Sequence, residues 1–110
     1  MAGFVKGDVV VLPFPFADLS QTKRRPALVL APSEDNVVIL CQITSQSVRD
    51  GHAVALLPSD FESGSLRKPS NIRPNRIFTA DLDIILYRAG RINRQKIDEA
   101  IEKLVALLRA

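Results

Sequence analysis

The sequence predicts a mainly β domain with α: short, mostly antiparallel strands, five or six in all, closed by one C-terminal amphipathic helix. Three observations predict it. Apolar and β-branched runs recur between Asp8 and Ile92, each bounded by Pro, Gly, Ser or Asn. From Asn93 onward the apolar spacing changes to that of a helix. A chain of 110 residues can bury one core but not two, so residues 1–110 are read as a single domain.

Asp8 to Leu12 (DVVVL) is β-branched and stops at Pro13, as a short strand does. The stretch that follows, PFPFADLSQTKRR, is too broken for regular structure and reads as a long loop, a candidate flap. Phe14 and Phe16 either anchor that loop to the core or offer bases a stacking surface. Anchoring is preferred, because aromatic burial dominates small cores. Pro26 to Ala31 (PALVLA) and Asn36 to Thr44 (NVVILCQIT) are nearly continuously apolar and are joined by PSED. They read as a hairpin of strands buried on both faces, or as strands of a small closed barrel. Cys41, inside the second of them, reads as a small buried hydrophobe.

His52 to Leu57 (HAVALL) is a weaker strand, followed by a Ser/Gly-rich turn at SDFESGS. Asn71 to Phe78 (NIRPNRIF) alternates like a strand, but Pro74 has no amide hydrogen to donate and demands an edge or a bulge. Ile84 to Ile92 (IILYRAGRI) becomes a strand in its second half. Asn93 is placed to cap a helix, since its side-chain oxygen can accept from the free amides that follow. Ile97, Ile101, Leu104 and Leu108 then form one apolar face toward the sheet, with Lys96, Glu99 and Lys103 toward solvent.

No apolar run reaches the roughly 20 residues that cross a bilayer, and MAGFVKGD does not resemble a signal peptide, so a cytoplasmic protein with no membrane partner is expected. With one cysteine and one histidine, His52, neither a disulfide nor a Cys/His metal site is expected, and no cofactor is called for. The net charge of +3 is unremarkable, but its distribution is not. Lys23, Arg24, Arg25, Arg67, Lys68, Arg73 and Arg76 fall in two short stretches. These are two solvated basic loops, or, if the fold brings them together, an anion site.

Four segments in order, GDVV (7–10), RRPALVL (24–30), CQITS (41–45) and NIRPNRIFTAD (71–81), followed by GRIN before the helix, resemble the MazF/PemK family of type II toxin–antitoxin endoribonuclease toxins. The similarity spans nearly the whole chain. The resemblance implies a small SH3-like antiparallel β-barrel, a homodimer, metal-independent cleavage of single-stranded RNA, and a cognate antitoxin whose acidic tail covers the same groove. It also implies that Arg25 and Thr44 are catalytic and that Arg73 is the arginine of the fourth motif. A carboxylate is expected near Arg73, and Asn75 stands in its place. Asn cannot ionise, so a general-base role does not transfer to that position. Asp81 is a remote substitute and reads equally well as a turn residue.

Cleavage by in-line attack of a ribose 2′-OH needs loss of the 2′ proton, stabilisation of the phosphorane oxygens and protonation of the leaving 5′-oxygen. Arg25 suits the second task, because its planar fork matches phosphate geometry and its charge is permanent. Thr44 can donate its hydroxyl to a non-bridging oxygen without titrating. Arg73 can clamp the same phosphate or protonate the leaving oxygen. Lys23, Arg24, Ser45, Gln46, Asn75 and Arg76 are the expected RNA-binding residues, with base preference carried by the 13–23 loop and the 46–52 turn. Two other functions share these residues: a nucleic-acid-binding module that does not cut, and a groove that mainly holds an acidic protein partner.

Overall fold

The computed structural model describes residues 3–14, 23–32 and 35–110. Among the described residues, seven strands form one antiparallel sheet: β1 (Asp8–Phe14), β2 (Lys23–Pro32), β3 (Val37–Thr44), β4 (Val54–Leu56), β5 (Phe61–Gly64), β6 (Ser70–Asp81) and β7 (Tyr87–Ile92). The spatial order is β4-β6-β3-β2-β1-β7-β5, and the sheet curls into a half-barrel. An α-helix, α1 (Arg94–Arg109), follows β7. Phe16 and the rest of the expected flap, 15–22, lie outside the described residues.

The continuously apolar strands are buried on both faces, as their composition requires. Alternate residues divide between two cores. Val9, Leu28, Leu30, Cys41, Ile43 and Ile72 join one with Ala100 of α1. Val10, Leu12, Phe14, Val29, Val38 and Leu40 join the other, covered by Phe4, Phe78, Leu82 and Ile85. Phe14 is a core anchor rather than a stacking surface: it meets Phe78 edge to face with ring centroids 5.0 Å apart. Cys41 is fully enclosed, and burial pushes its thiol up to about 12, which leaves it protonated and unreactive.

Several expectations are corrected. The cations of KRR do not end a loop; they open β2, paired across to β1 as Phe14↔Lys23, Pro13↔Arg24 and Leu12↔Arg25. SDFESGS is not a simple turn, because Phe61–Gly64 forms β5 against β7. The signal missed there is a glycine on each strand, Gly64 opposite Gly90, which lets the two backbones approach closely. Pro74 is accommodated as expected: the β3–β6 register steps from Cys41↔Ile77 to Gln42↔Arg73, so Pro74, Asn75 and Arg76 lie in a bulge.

Asn93 caps α1, its Oδ1 accepting from Lys96 N at 2.8 Å. The packed line of the helix is rotated from the expected one. Leu108 is 71% exposed, whereas Ala100 is fully buried and Ile97, Leu104 and Leu107 are half-buried. The small Ala100 lets the helix sit close to β6 and β4, so contact centres on 97, 100, 104 and 107. Lys96 does not face solvent either; its Nζ lies 3.0 Å from Glu99 and 3.7 Å from Asp60.

Candidate nucleic-acid interface

The antiparallel register of β2 and β3 brings two sequence motifs together. Ala27 pairs with Gln42, and continuing that register by two residues sets Arg25 opposite Thr44. Pro26 fixes the backbone at the strand entrance beside Arg25. Arg25 is half-buried and held between β1 and the continuation of β3, so its side chain projects from a fixed backbone position. The Thr44 hydroxyl oxygen accepts from Gln46 N at 3.2 Å, which leaves its own proton to donate.

Arg25 and Thr44 line one open cleft of about 580 Å³. One wall is Arg24, Arg25, Pro26, Thr44 and Ser45; the other is Ser65 to Lys68 with Tyr87, Arg88 and Ala89. Val11 and Ile43 also line it. The second wall is fixed from beneath. Leu66 packs into the core, Ser65 N donates to Ala89 O at 3.3 Å, and the Ser70 hydroxyl donates to Lys68 O at 3.0 Å. Five cations, Arg24, Arg25, Arg67, Lys68 and Arg88, face this space, and its described lining includes no carboxylate. Such a cleft favours an anion strongly, because like charges held together are relieved by one.

The two basic stretches therefore meet only in part. Arg24 and Arg25 are brought to Arg67 and Lys68, while Arg73 and Arg76 are not part of the cleft lining, nor are Lys23, Gln46 and Asn75. Tyr87 and Arg88 are additions that no motif signalled. Arg88 is steadied by the buried Asp8, whose Oδ1 lies 3.6 Å from Arg88 and 3.0 Å from Arg91, while its Oδ2 accepts from Val5 N at 2.9 Å.

Arg73 and Asn75 form a separate cluster with Asp50. Both donate to Asp50 Oδ2, at 2.9 Å and 3.1 Å, while Asp50 Oδ1 accepts from His52 N at 2.9 Å. The Arg73 Nε is buried with no partner among the described residues. A carboxylate thus does stand beside Arg73 and Asn75, but it comes from the 46–52 turn rather than from the strand. Asn71 adds a second tie, donating from Nδ2 to Gln46 O at 3.1 Å. The turn after Thr44 is held to β6 at both ends.

The His52 amide, then Arg73 and Asn75, hold the Asp50 carboxyl at about 2, below its ordinary 3.8. A depressed carboxyl adds stability above its ordinary pKa and loses it as pH falls through the folded value. The stability from the tie is therefore expected to be complete above about pH 4 and to be lost as pH falls through about 2, where the contact itself loosens. An NMR titration checks this: the Asn75 side-chain amide should shift with the Asp50 carboxyl carbon across that window. Independent behaviour of the two would show that the contact is not maintained in solution.

A curled antiparallel sheet with a basic cleft, lined by a strand-borne arginine and threonine, defines a small β domain with a cationic groove. The chain belongs to the family of PemK-like, MazF-like toxins of type II toxin–antitoxin systems, whose model matches residues 5–108. MazF-like toxins are endoribonucleases. Solved structures agree on the fold. An endoribonuclease in complex with its cognate antitoxin from a mycobacterial species superposes with a TM-score of 0.78 at 15% identity, covering 97% of this chain and 96% of that one. MazF from Deinococcus radiodurans gives 0.77 at 23% identity over 100% of both chains. A MazE-MazF structure from the same organism gives 0.76 at 23% identity over 96% of each. No curated protein sequence gives a significant match.

Proposed function

We propose that this chain is a toxin that cleaves single-stranded RNA without a metal ion, by attack of a 2′-OH on the adjacent phosphate, leaving 2′,3′-cyclic phosphate and 5′-OH ends. The observation that carries the reading is the meeting of Arg25 and Thr44 in a cleft whose described lining holds five cations and no carboxylate. As the 2′-oxygen gives its proton to water and bonds to phosphorus, and the bond to the 5′-oxygen breaks with that oxygen taking a proton from water, negative charge grows on the non-bridging oxygens. Arg25 and the Thr44 hydroxyl are the donors for that charge, preorganised by their strands. Arg24 and Ser45, on the same wall, hold the neighbouring phosphate. Lys23 is exposed at the first position of β2 and draws in the RNA backbone over a longer range.

Arg73 is a positioning residue in this scheme. Paired with Asp50, it fixes the turn that follows Thr44, and with it the hydroxyl geometry. Gln46, Asn75 and Arg76 border that turn and the β6 bulge, where the strand beyond the cut nucleotide can pass.

The test is digestion of a mixed-sequence single-stranded RNA in excess EDTA, with identification of both new ends. Cleavage giving a cyclic phosphate is expected. Salt-sensitive binding with no scission would establish a binding module instead. The complexes formed by the similar mycobacterial and Deinococcus proteins support a cognate acidic antitoxin as partner, laid over the same cations. A homodimer and a cytoplasmic site of action complete the proposal.

A further inference from the structure

We propose that Tyr87 is a stacking platform for one nucleobase, and that Arg88, with Arg67 and Lys68, clamps the phosphate beside that base. This wall then forms a nucleotide subsite across the cleft from Arg25. The inference rests on the RNA-cleaving reading above and names which part of the cleft reads a base.

Sequence-tolerant binding of single-stranded nucleic acid combines cations that track the backbone with an exposed aromatic face on which a base can lie. The described phenylalanines do not supply one in the cleft. Phe14 is buried, and Phe4, Phe61 and Phe78 pack against the two cores. Tyr87 is 53% exposed, begins β7, and is the one aromatic residue among the described residues of the cleft lining. Its neighbours are cationic: Arg88 follows it directly, and Arg67 and Lys68 stand on the same wall.

The strand register sets the distance. Val11 of β1 pairs with Pro26 on one side and with Tyr87 on the other, so Pro26, Val11 and Tyr87 form one rung across three strands. Two strand spacings separate the backbones of Pro26 and Tyr87, roughly 10 Å. That is the scale of one nucleotide from its phosphate to the far edge of its base. A phosphate at Arg25 therefore leaves the base of a neighbouring nucleotide within reach of the Tyr87 ring. Arg88 is directed by a carboxylate that cannot move away, since Asp8 is 1% exposed and anchored by Val5 N and Arg91.

The experiment measures binding of a 2′-O-methyl RNA, which cannot undergo 2′-OH attack, to wild type, Tyr87→Phe and Tyr87→Ala. A series of the same oligonucleotide carries one abasic position at a time. Tyr87→Ala is expected to weaken binding about 10- to 100-fold. Tyr87→Phe should bind like wild type, because the face and not the hydroxyl makes the contact. One abasic position should weaken wild type and leave Tyr87→Ala unaffected. With cleavable RNA, the loss in Tyr87→Ala should fall mainly on KM.

Equal affinity of wild type and Tyr87→Ala, or equal weakening in Tyr87→Phe and Tyr87→Ala, overturns the subsite. So does retention of RNA affinity with loss of affinity for a glutamate-rich peptide, which would assign the ring to a protein partner. Scission is scored separately. A wild type that shows the abasic pattern but never cuts removes the ribonuclease reading and keeps the stacking platform, whereas one that cuts with Tyr87→Ala unimpaired removes only the platform.

Discussion

Arg25→Ala is expected to lower the rate of RNA cleavage by about 100- to 1000-fold, the usual loss when one preorganised donor to a developing oxyanion is removed. The size follows from where the residue sits. Arg25 opposes Leu12 on β1, and the β2–β3 register carries it to Thr44, so little ordering is needed as the phosphorane forms. Arg24 lines the same wall, but the register sets it beside Ser45 and not Thr44. Arg25→Lys keeps the charge but loses the planar fork, and should recover only part of the rate. Thr44→Ala belongs to the same experiment and removes the second donor. Single-turnover rates under saturating RNA separate these effects from weaker binding. Lys23→Ala, by contrast, should change the salt dependence more than the rate. Undiminished single-turnover cleavage by Arg25→Ala would remove this residue from the transition state.

The second large effect is structural and reaches the site indirectly. Gly64 has φ +68°, and a Cβ added there would lie 2.1 Å from Ala89 O and 2.6 Å from Gly90 Cα. Both obstacles are backbone, so Gly64→Ala forces β5 away from β7 and adds the strain of a left-handed non-glycine residue. We expect a loss of about 3 kcal/mol or more, and so a Tm lower by at least about 12 °C. Ala89 O is also the acceptor for Ser65 N, at the start of the wall carrying Arg67 and Lys68. The variant should therefore lose RNA affinity even at temperatures where it remains folded. Gly51→Ala is the control: φ is +77° there, but nothing lies within 4 Å of the added carbon, so only the backbone strain of about 1–2 kcal/mol is expected. Equal Tm values for the two variants would show that the β5–β7 approach is not what limits Gly64.

Much of this architecture was legible in the sequence because it rests on local patterns. Runs such as LVL and VVIL are buried on both faces wherever they are placed in a sheet, Asn93 caps a helix by its own side chain, and Pro74 can be housed only where a ladder bond is missing. β5 was not legible, since FESG has neither alternation nor β-branching and is a strand only because Gly90 allows it close to β7. The rotation of α1 likewise depended on one small side chain, Ala100, against a sheet that periodicity does not describe.

The candidate site divides in the same way. Arg25 and Thr44 were named through a family pattern, and the strand register gives the physical reason they meet. Tyr87 and Arg88 had no motif, because their placement depends on β7 lying beside β1 rather than on any local spacing. Asp50 was hidden for a related reason. Its partners, Arg73 and Asn75, are 23 and 25 residues away, and an acid in a polar turn looks like any other until the fold folds it back.

The turn that follows Thr44 is stapled to β6 at Gln46 and again at Asp50. Its conformational entropy is therefore given up when the protein folds, and not when RNA arrives. Bases passing over such a turn meet a template whose shape is already set, so selection among them works by fit and rejection and does not wait on a loop closing around the right sequence. Cutting both staples should turn a discriminating edge into an accommodating one, broadening the range of RNA sequences accepted while slowing each of them.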